Sequence, residues 1–160
     1  MTIKVGDQIP SMKLMMGTSE GPKETSTDDI FKGKKVVLFA VPGAFTPTCS
    51  AKHLPGFVQN VDALKAKGVD TVACISVNDA FVMGAWGKDQ GTDGKVVMLA
   101  DGSAAFTKAL GLELDLMGRG MGVRSQRYAL VAVDGKVTHL GVEQPGGFEV
   151  SKAESILASL

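Results

Sequence analysis

Between Lys34 and Lys67 the chain reads KKVVLFAVPGAFTPTCSAKHLPGFVQNVDALKAK, and few folds accommodate what that stretch dictates. Val36 to Val41 is a continuous apolar, largely β-branched run, bounded by lysines before it and Pro42-Gly43 after it. A run without polar alternation predicts a strand buried on both faces, the kind found inside parallel sheets. Beyond the turn, Leu54, Phe57, Val58, Val61 and Leu64 recur at helical intervals, Lys65 and Lys67 fall in the last turn, and Gly68 stops it. The stretch is a buried strand, a tight loop and a helix, with Cys49 at the helix start.

That position has chemical meaning. The thiolate is the nucleophilic form of cysteine, and a free thiol with a pKa of about 8.5 is mostly protonated at neutral pH. A helix N-terminus supplies unpaired N–H groups and the positive end of the macrodipole, both of which favour the anion. Thr46 precedes Cys49 by three residues, the spacing at which thioredoxin-like proteins carry Cys-x-x-Cys at the same junction. A hydroxyl cannot close a disulfide; it can hydrogen-bond the sulfur or whatever the sulfur attacks. Thr46 is equally suited to be the N-cap.

The rest of the chain repeats the alternation. Val69 to Val77 predicts a second strand, Asn78-Asp79 a cap, and the segment with Phe81, Val82, Met83 and Trp86 a helix ending near Gly87 or Gly91. Phe81, Met83 and Trp86 are expected in the core. Lys95 to Ala100 predicts a third strand and Ala104 to Leu110 a short helix. Leu112 to Arg124 reads as a glycine-rich, flexible loop; its Gly118-x-Gly120-x-Gly122 neither follows a strand nor opens a helix, so it is no phosphate cradle. Arg127 to Val133 and Lys136 to Val142, joined by Asp134-Gly135, predict a hairpin at the sheet edge. Ser151-x-x-Glu154 has the spacing of a capping box opening a last helix that runs to Ala158 or Leu160. Upstream, glycines and prolines predict short extended pieces, with one helical turn after Ser26. Pro55 cannot donate to the Ala51 carbonyl, which predicts a kink just after the Cys49 turn. Alternating strands and helices imply an α/β fold with a largely parallel sheet covered on both faces.

At 160 residues the chain has the length of one domain, spanning 1–160, and can bury a core without disulfide staples. Seventeen basic and seventeen acidic residues balance, and no basic cluster stands out, which argues against nucleic acid and anionic membrane as partners. Two cysteines are too few for a secreted disulfide framework, MTIKVGDQIP lacks the apolar core of a signal peptide, and no run approaches the ~20 residues that span a bilayer. A reducing cytoplasm is the expectation. Two histidines in unrelated settings make a metal site unexpected.

Pro42, Thr46 and Cys49, in P-x-x-x-T-x-x-C continuing as SAKHLPGF, resemble the active-site signature of the peroxiredoxins. PGAFTPTCSAKHLPGF is similar in particular to the atypical branch that includes the plant type II enzymes. The resemblance extends through VGDQIPS, CISVNDAFVMGAWG, LADGSAAFTKALGLELD and RSQRYALVAVDGKV, nearly the whole chain. It implies a thioredoxin-like fold, a central mixed sheet flanked by helices with an N-terminal extension. It also implies a thiol peroxidase that turns hydrogen peroxide and small alkyl hydroperoxides into water or alcohol through a sulfenic acid at Cys49, with no cofactor.

A thiolate attacking peroxide needs a lasting positive charge, which arginine supplies with several fixed donors. Arg119, Arg124 and Arg127 are candidates that composition cannot separate; the resemblance selects Arg127 through RSQRYALV. It also has Pro42 shielding the sulfur. His53, four residues after Cys49, belongs on the same helix face as a pocket wall or hydrogen-bonding group rather than a general base. Cys74 lies mid-strand and reads as core packing, although plant type II relatives carry a second cysteine there and a Cys49–Cys74 disulfide stays open. The distal resolving cysteine of the animal atypical enzymes has no counterpart between Gln144 and Leu160. An external reductant is therefore expected, glutathione with glutaredoxin or thioredoxin by the plant-like resemblance, and a homodimer is expected because related enzymes pair near the Phe81 helix. The alternative is a peroxide-sensing or chaperone-like redox switch with incidental turnover; a thiol–disulfide transferase is disfavoured because Thr46 stands where the second thiol would be.

Overall fold

The computed structural model describes residues 2–160. Strands β1 (Lys13–Thr18) and β2 (Gly21–Ser26) form a hairpin, and α1 (Thr27–Phe31) follows, its first turn capped by the Ser26 hydroxyl accepting from the Asp29 N–H at 3.1 Å. Strand β3 (Lys35–Val41) is the apolar run; a wide π-helical turn over Cys49–His53 leads from its loop into α2 (Leu54–Ala66). Next come β4 (Thr71–Ser76), α3 (Ala80–Gln90), β5 (Val97–Ala100) and α4 (Ala105–Leu110). Asp79 caps α3 by accepting from the Val82 N–H at 2.8 Å, and Gly91, with φ of 68°, closes it. After β6 (Glu113–Leu116) and β7 (Gly122–Ser125), the chain ends with β8 (Tyr128–Val133), β9 (Lys136–Val142) and α5 (Ala153–Ser159).

Seven strands form one sheet in the order β2-β1-β5-β4-β3-β8-β9, with β3, β4 and β5 parallel and the flanking pairs antiparallel. The fold is thus the thioredoxin-like mixed sheet flanked by helices. The N-terminal hairpin continues that sheet by pairing β1 with β5. At the other end Asp134 and Gly135 both take positive φ, 50° and 78°, the requirement of the two-residue turn that joins β8 to the edge strand β9.

Central strand β3 sorts its side chains by alternation. Val37, Phe39 and Val41 face one core with Phe57, Val61 and Leu64 of α2, Met83 and Trp86 of α3 and Ile156 of α5. Val36, Leu38 and Ala40 face the other, with Phe31, Phe106 and Leu110. Burial on both faces is why the run carries no polar residue. Helix α3 lies so close to β1 that a Cβ on Gly17 would overlap the Gly84 backbone, which fixes glycine there.

Four expectations are corrected. Leu112 to Arg124 is not a flexible loop: its glycines serve a 3-10 turn, Met117–Arg119, inside a two-stranded hairpin of β6 and β7. Ser151 does not cap the last helix; Lys152 holds that position without a side-chain bond, and the Ser151 hydroxyl donates instead to Glu143 at 2.6 Å. Phe81 is 75% exposed, because one helical turn cannot point residues 81, 83 and 86 to the same side. The irregularity expected at Pro55 is met one turn earlier, where the Leu54 N–H reaches the Cys49 carbonyl across a π turn and Pro55 then enters α2 in the first turn, where its missing N–H is tolerated.

Candidate active site

Parallel pairing of β3 with β4 leaves the loop after β3 at the carboxyl end of the sheet, where open α/β folds build their sites. The loop Pro42 to Thr46 is held from two sides. Asn78 Oδ1 accepts from the Ala44 N–H at 3.0 Å, and Arg124 donates to the Pro42 carbonyl at 3.4 Å and to the Met121 carbonyl at 2.9 Å. Phe45 takes φ of 63°, a costly conformation for a non-glycine residue, and turns its ring outward. The Thr46 hydroxyl donates back to the Gly43 carbonyl at 2.7 Å, so it closes the loop rather than capping the helix, and its lone pairs remain available as acceptors.

The first backbone bond of the following turn runs from the Ser50 N–H to the Thr46 carbonyl at 2.9 Å, so the N–H groups of Thr48 and Cys49 precede the helical ladder. Ser50 also accepts from the Trp86 indole at 3.0 Å, which ties the turn to α3. Cys49 itself is fully buried, packed in the core that contains Phe39 and Phe57.

Arg127, just before β8, reaches this sulfur from the strand paired with β3: Nη2 donates to Cys49 Sγ at 3.1 Å and Nη1 to His53 Nδ1 at 2.8 Å. A guanidinium cannot lose its proton in a protein, so the sulfur meets a permanent charge with a directed donor. The His53 ring is buried between Phe39, Phe57 and Phe148, at centroid separations of 4.9, 5.6 and 5.1 Å. Its Nε2 pairs with the Ser151 carbonyl at 2.9 Å, an acceptor only, so Nε2 carries the proton and Nδ1 accepts from Arg127. Burial, and then the charge of Arg127, lower its pKa from the ordinary 6.5 to about 3, against a smaller opposing effect of the Ser151 carbonyl. His53 is a neutral imidazole at physiological pH. Phe148 lies 5.9 Å from the Arg127 guanidinium, over its ring face.

An opening of about 170 Å³ next to the Cys49 turn is lined by Pro42, Thr48, Arg127, Leu114 and the Glu143 to Gly147 segment, and Cys49 itself does not line it. A positively charged donor, helix-start N–H groups outside the ladder and a buried thiol one residue from the lining of a small cleft suit two-electron chemistry on a small polar molecule. Among the described residues no cluster of three His, Cys, Asp or Glu side chains is placed to hold a metal.

Residues 4–157 match the Redoxin family. The chain is a peroxiredoxin of that family. It is 52% identical over 163 residues to chloroplastic Peroxiredoxin-2E of Arabidopsis thaliana, covering 99% of this chain and 70% of that protein. Identity to Peroxiredoxin-2B of the same plant is 51% over 159 residues, with 99% and 98% covered. The crystal structure of reduced Prx3 from Vibrio vulnificus in complex with hydrogen peroxide superposes with a TM-score of 0.94 at 57% identity, over 99% of each chain. Relatives this similar over the full length make the protein a thiol peroxidase, an oxidoreductase.

In this peroxiredoxin the residues singled out from sequence fall into two groups. Pro42 and Thr46 lie on the loop that leads to Cys49, Arg127 donates to the Cys49 sulfur, and His53 is joined to it through Arg127. Cys74 does not: it faces the same core from β4, paired in register with Phe39, and burial, followed by the nearby Cys49, pushes its thiol well above the ordinary range. Arg119 is exposed on the 3-10 turn, and Arg124 braces the Pro42 carbonyl. Sequence reading missed Phe148, Ser151 and Glu143, which reach the site from a loop far along the chain. The short polar segment between β9 and α5 offered no periodicity to flag them.

Proposed function

We propose that Cys49 is the peroxidatic nucleophile and that the enzyme reduces hydrogen peroxide and small alkyl hydroperoxides. The observation that carries this reading is the Arg127 Nη2 donor 3.1 Å from a buried sulfur at a helix start. The thiolate attacks the near peroxide oxygen in line; a sulfur–oxygen bond forms, the oxygen–oxygen bond breaks, and hydroxide or alkoxide leaves and takes a proton. Sulfur is oxidised to the sulfenic acid and the peroxide is reduced to water or alcohol. Arg127, Thr46 and the helix-start N–H groups hold the two oxygens and stabilise charge as it moves from sulfur to the leaving oxygen, while Pro42 covers the sulfur from solvent.

The sulfenic acid condenses with an external thiol, losing water to form a mixed disulfide, which a second thiol reduces. Glutathione with glutaredoxin, or thioredoxin, is the proposed donor; the buried, protonated character of Cys74 supports an external partner over an internal one. Location in the cytoplasm agrees with two cysteines kept as free thiols, and a homodimer with the exposed Phe81 on α3. The test is the intact mass seconds after one equivalent of hydrogen peroxide with a sulfenic-acid trap present. An adduct mapped to Cys49 supports the mechanism, loss of two hydrogens reveals a Cys49–Cys74 disulfide, and an unmodified chain refutes the mechanism. Sustained turnover with a reductant separates the enzyme from a redox switch.

A further inference from the structure

The guanidinium that meets the sulfur sits in a closed circuit of hydrogen bonds. The Arg127 carbonyl accepts from the Glu143 N–H at 2.9 Å. One oxygen of the Glu143 carboxylate then accepts from the N–H of Glu149 at 2.8 Å, the N–H of Ser151 at 2.8 Å and the Ser151 hydroxyl at 2.6 Å, folding the loop back on itself. That clasp aims the Ser151 carbonyl at His53 Nε2, and His53 Nδ1 returns the circuit to Arg127 Nη1. The loop is seated closely: a Cβ on Gly141 of β9 would come within 2.5 Å of the Val150 carbonyl.

Resting on the reading of Cys49 as the nucleophile, we propose that His53 is the positioning residue that aims Arg127 at the sulfur, and that the Glu143-clasped loop sets the tautomer His53 needs. An imidazole has one donor and one acceptor when neutral, and which nitrogen is which follows from the partner of the other. The Ser151 carbonyl can only accept, so it takes the Nε2 proton and leaves a lone pair on Nδ1 facing Arg127. Nη1 is thereby held, and the planar fork directs Nη2 along a fixed line to Sγ. Without this acceptor, the guanidinium is free to rotate about a long, flexible side chain. Phe39, Phe57 and Phe148 exclude water that could substitute for the ring. His53 touches neither sulfur nor peroxide in this scheme; its action is through Arg127.

Asparagine and glutamine divide the two halves of the imidazole. Asparagine places its amide oxygen where Nδ1 stands, keeping the acceptor for Arg127, whereas glutamine reaches the Nε2 position and keeps only the donor to Ser151. The second-order rate of Cys49 oxidation by hydrogen peroxide is measured for wild type, His53→Asn, His53→Gln and Glu143→Ala. Expected is a fall of roughly tenfold to a hundredfold for His53→Gln, the kinetic equivalent of a lost hydrogen bond to a charged group, with Glu143→Ala in the same direction and His53→Asn losing far less. Equal losses in the asparagine and glutamine variants, or a glutamine variant as fast as wild type, overturn the proposal. If the variants do not fold, ¹⁵N NMR of the wild-type imidazole decides: a protonated Nε2 with a bare Nδ1 supports positioning, and a proton on Nδ1 sinks it. That spectrum judges the circuit even if trapping shows wild-type Cys49 unreactive, an outcome that would refute the peroxidatic reading instead.

Discussion

Cys49 and Cys74 share nearly every property that usually classifies a cysteine. Both are fully buried free thiols, and both belong to the same apolar core on one face of the sheet. They differ in what the backbone and one distant side chain bring to them. Cys74 is in the middle of β4, with strands paired on both sides, so its surroundings are spent on the ladder. Cys49 starts a helical turn whose N–H groups precede the ladder, and Arg127 donates to it. Burial alone would leave either sulfur inert; in the proposed mechanism the donors decide which one reacts with peroxide.

The sharpest way to break this comparison is to exchange the chemistry at one site only. Cys49→Ser should abolish peroxide-dependent oxidation and turnover, measured by peroxide consumption with an excess of reductant, because an alcohol at neutral pH does not become an anion. Residual turnover assigned to Cys74 would erase the distinction. Arg127→Ala should follow, with a loss of roughly 10²–10³ in the oxidation rate, the usual cost of one preorganised electrostatic donor. Arg127→Lys should recover little of it, since a point charge cannot serve sulfur and His53 together as the planar fork does.

Much of this contrast was legible before any coordinates. A polar-free run ending in Pro-Gly, a helical repeat behind it and a cysteine at the junction located the strand, the loop and the turn that carries Cys49, since these are short-range constraints. Ser26 and Asp79 likewise act within three residues of themselves. Ser151 shows where such reading fails: its spacing to Glu154 suits a capping box, but Glu143, eight residues earlier, offers a charged acceptor and takes the hydroxyl. The β6–β7 hairpin was hidden because its glycines, read as flexibility, occupy left-handed positions such as Gly120 and Gly122 in a defined turn. Arg127 required the family resemblance, since no local feature distinguishes it from Arg119 or Arg124.

Acid sharpens the comparison at the side of Cys49. His53 is neutral in the folded protein down to about pH 3, whereas in the unfolded chain it takes up a proton below 6.5. The unfolded state therefore binds more protons between those values. The contribution is complete above pH 6.5 and is lost as pH falls towards 3, at up to about 1.4 kcal/mol per pH unit. Denaturant unfolding of wild type and His53→Asn across this window should show the variant losing less stability on acidification; parallel curves would count against the neutral, Arg127-bound imidazole. A smaller effect is expected at Thr46. Thr46→Val removes the hydroxyl that closes the loop on Gly43 and should slow oxidation roughly tenfold, with Thr46→Ser restoring most of the rate, as expected for a single hydrogen bond.

The smallest effect belongs to Cys74. Cys74→Ala deletes one buried sulfur from a strand packed on both edges, which should cost about 1–2 kcal/mol in denaturant unfolding through a small cavity. The rate of the first oxidation should change by less than about twofold, because the lost atom supplies no donor to the reacting sulfur. Recycling is the more demanding comparison. If the internal disulfide formed in the ordinary cycle, the π turn carrying Cys49 would have to leave Arg127 and the Trp86 tie together before the sulfurs could meet. Removal of Cys74 would then slow turnover with glutathione and glutaredoxin, or with thioredoxin, while leaving the first step intact. Equal turnover in both proteins places resolution on the external thiol and leaves Cys74 as a packing residue that happens to carry sulfur.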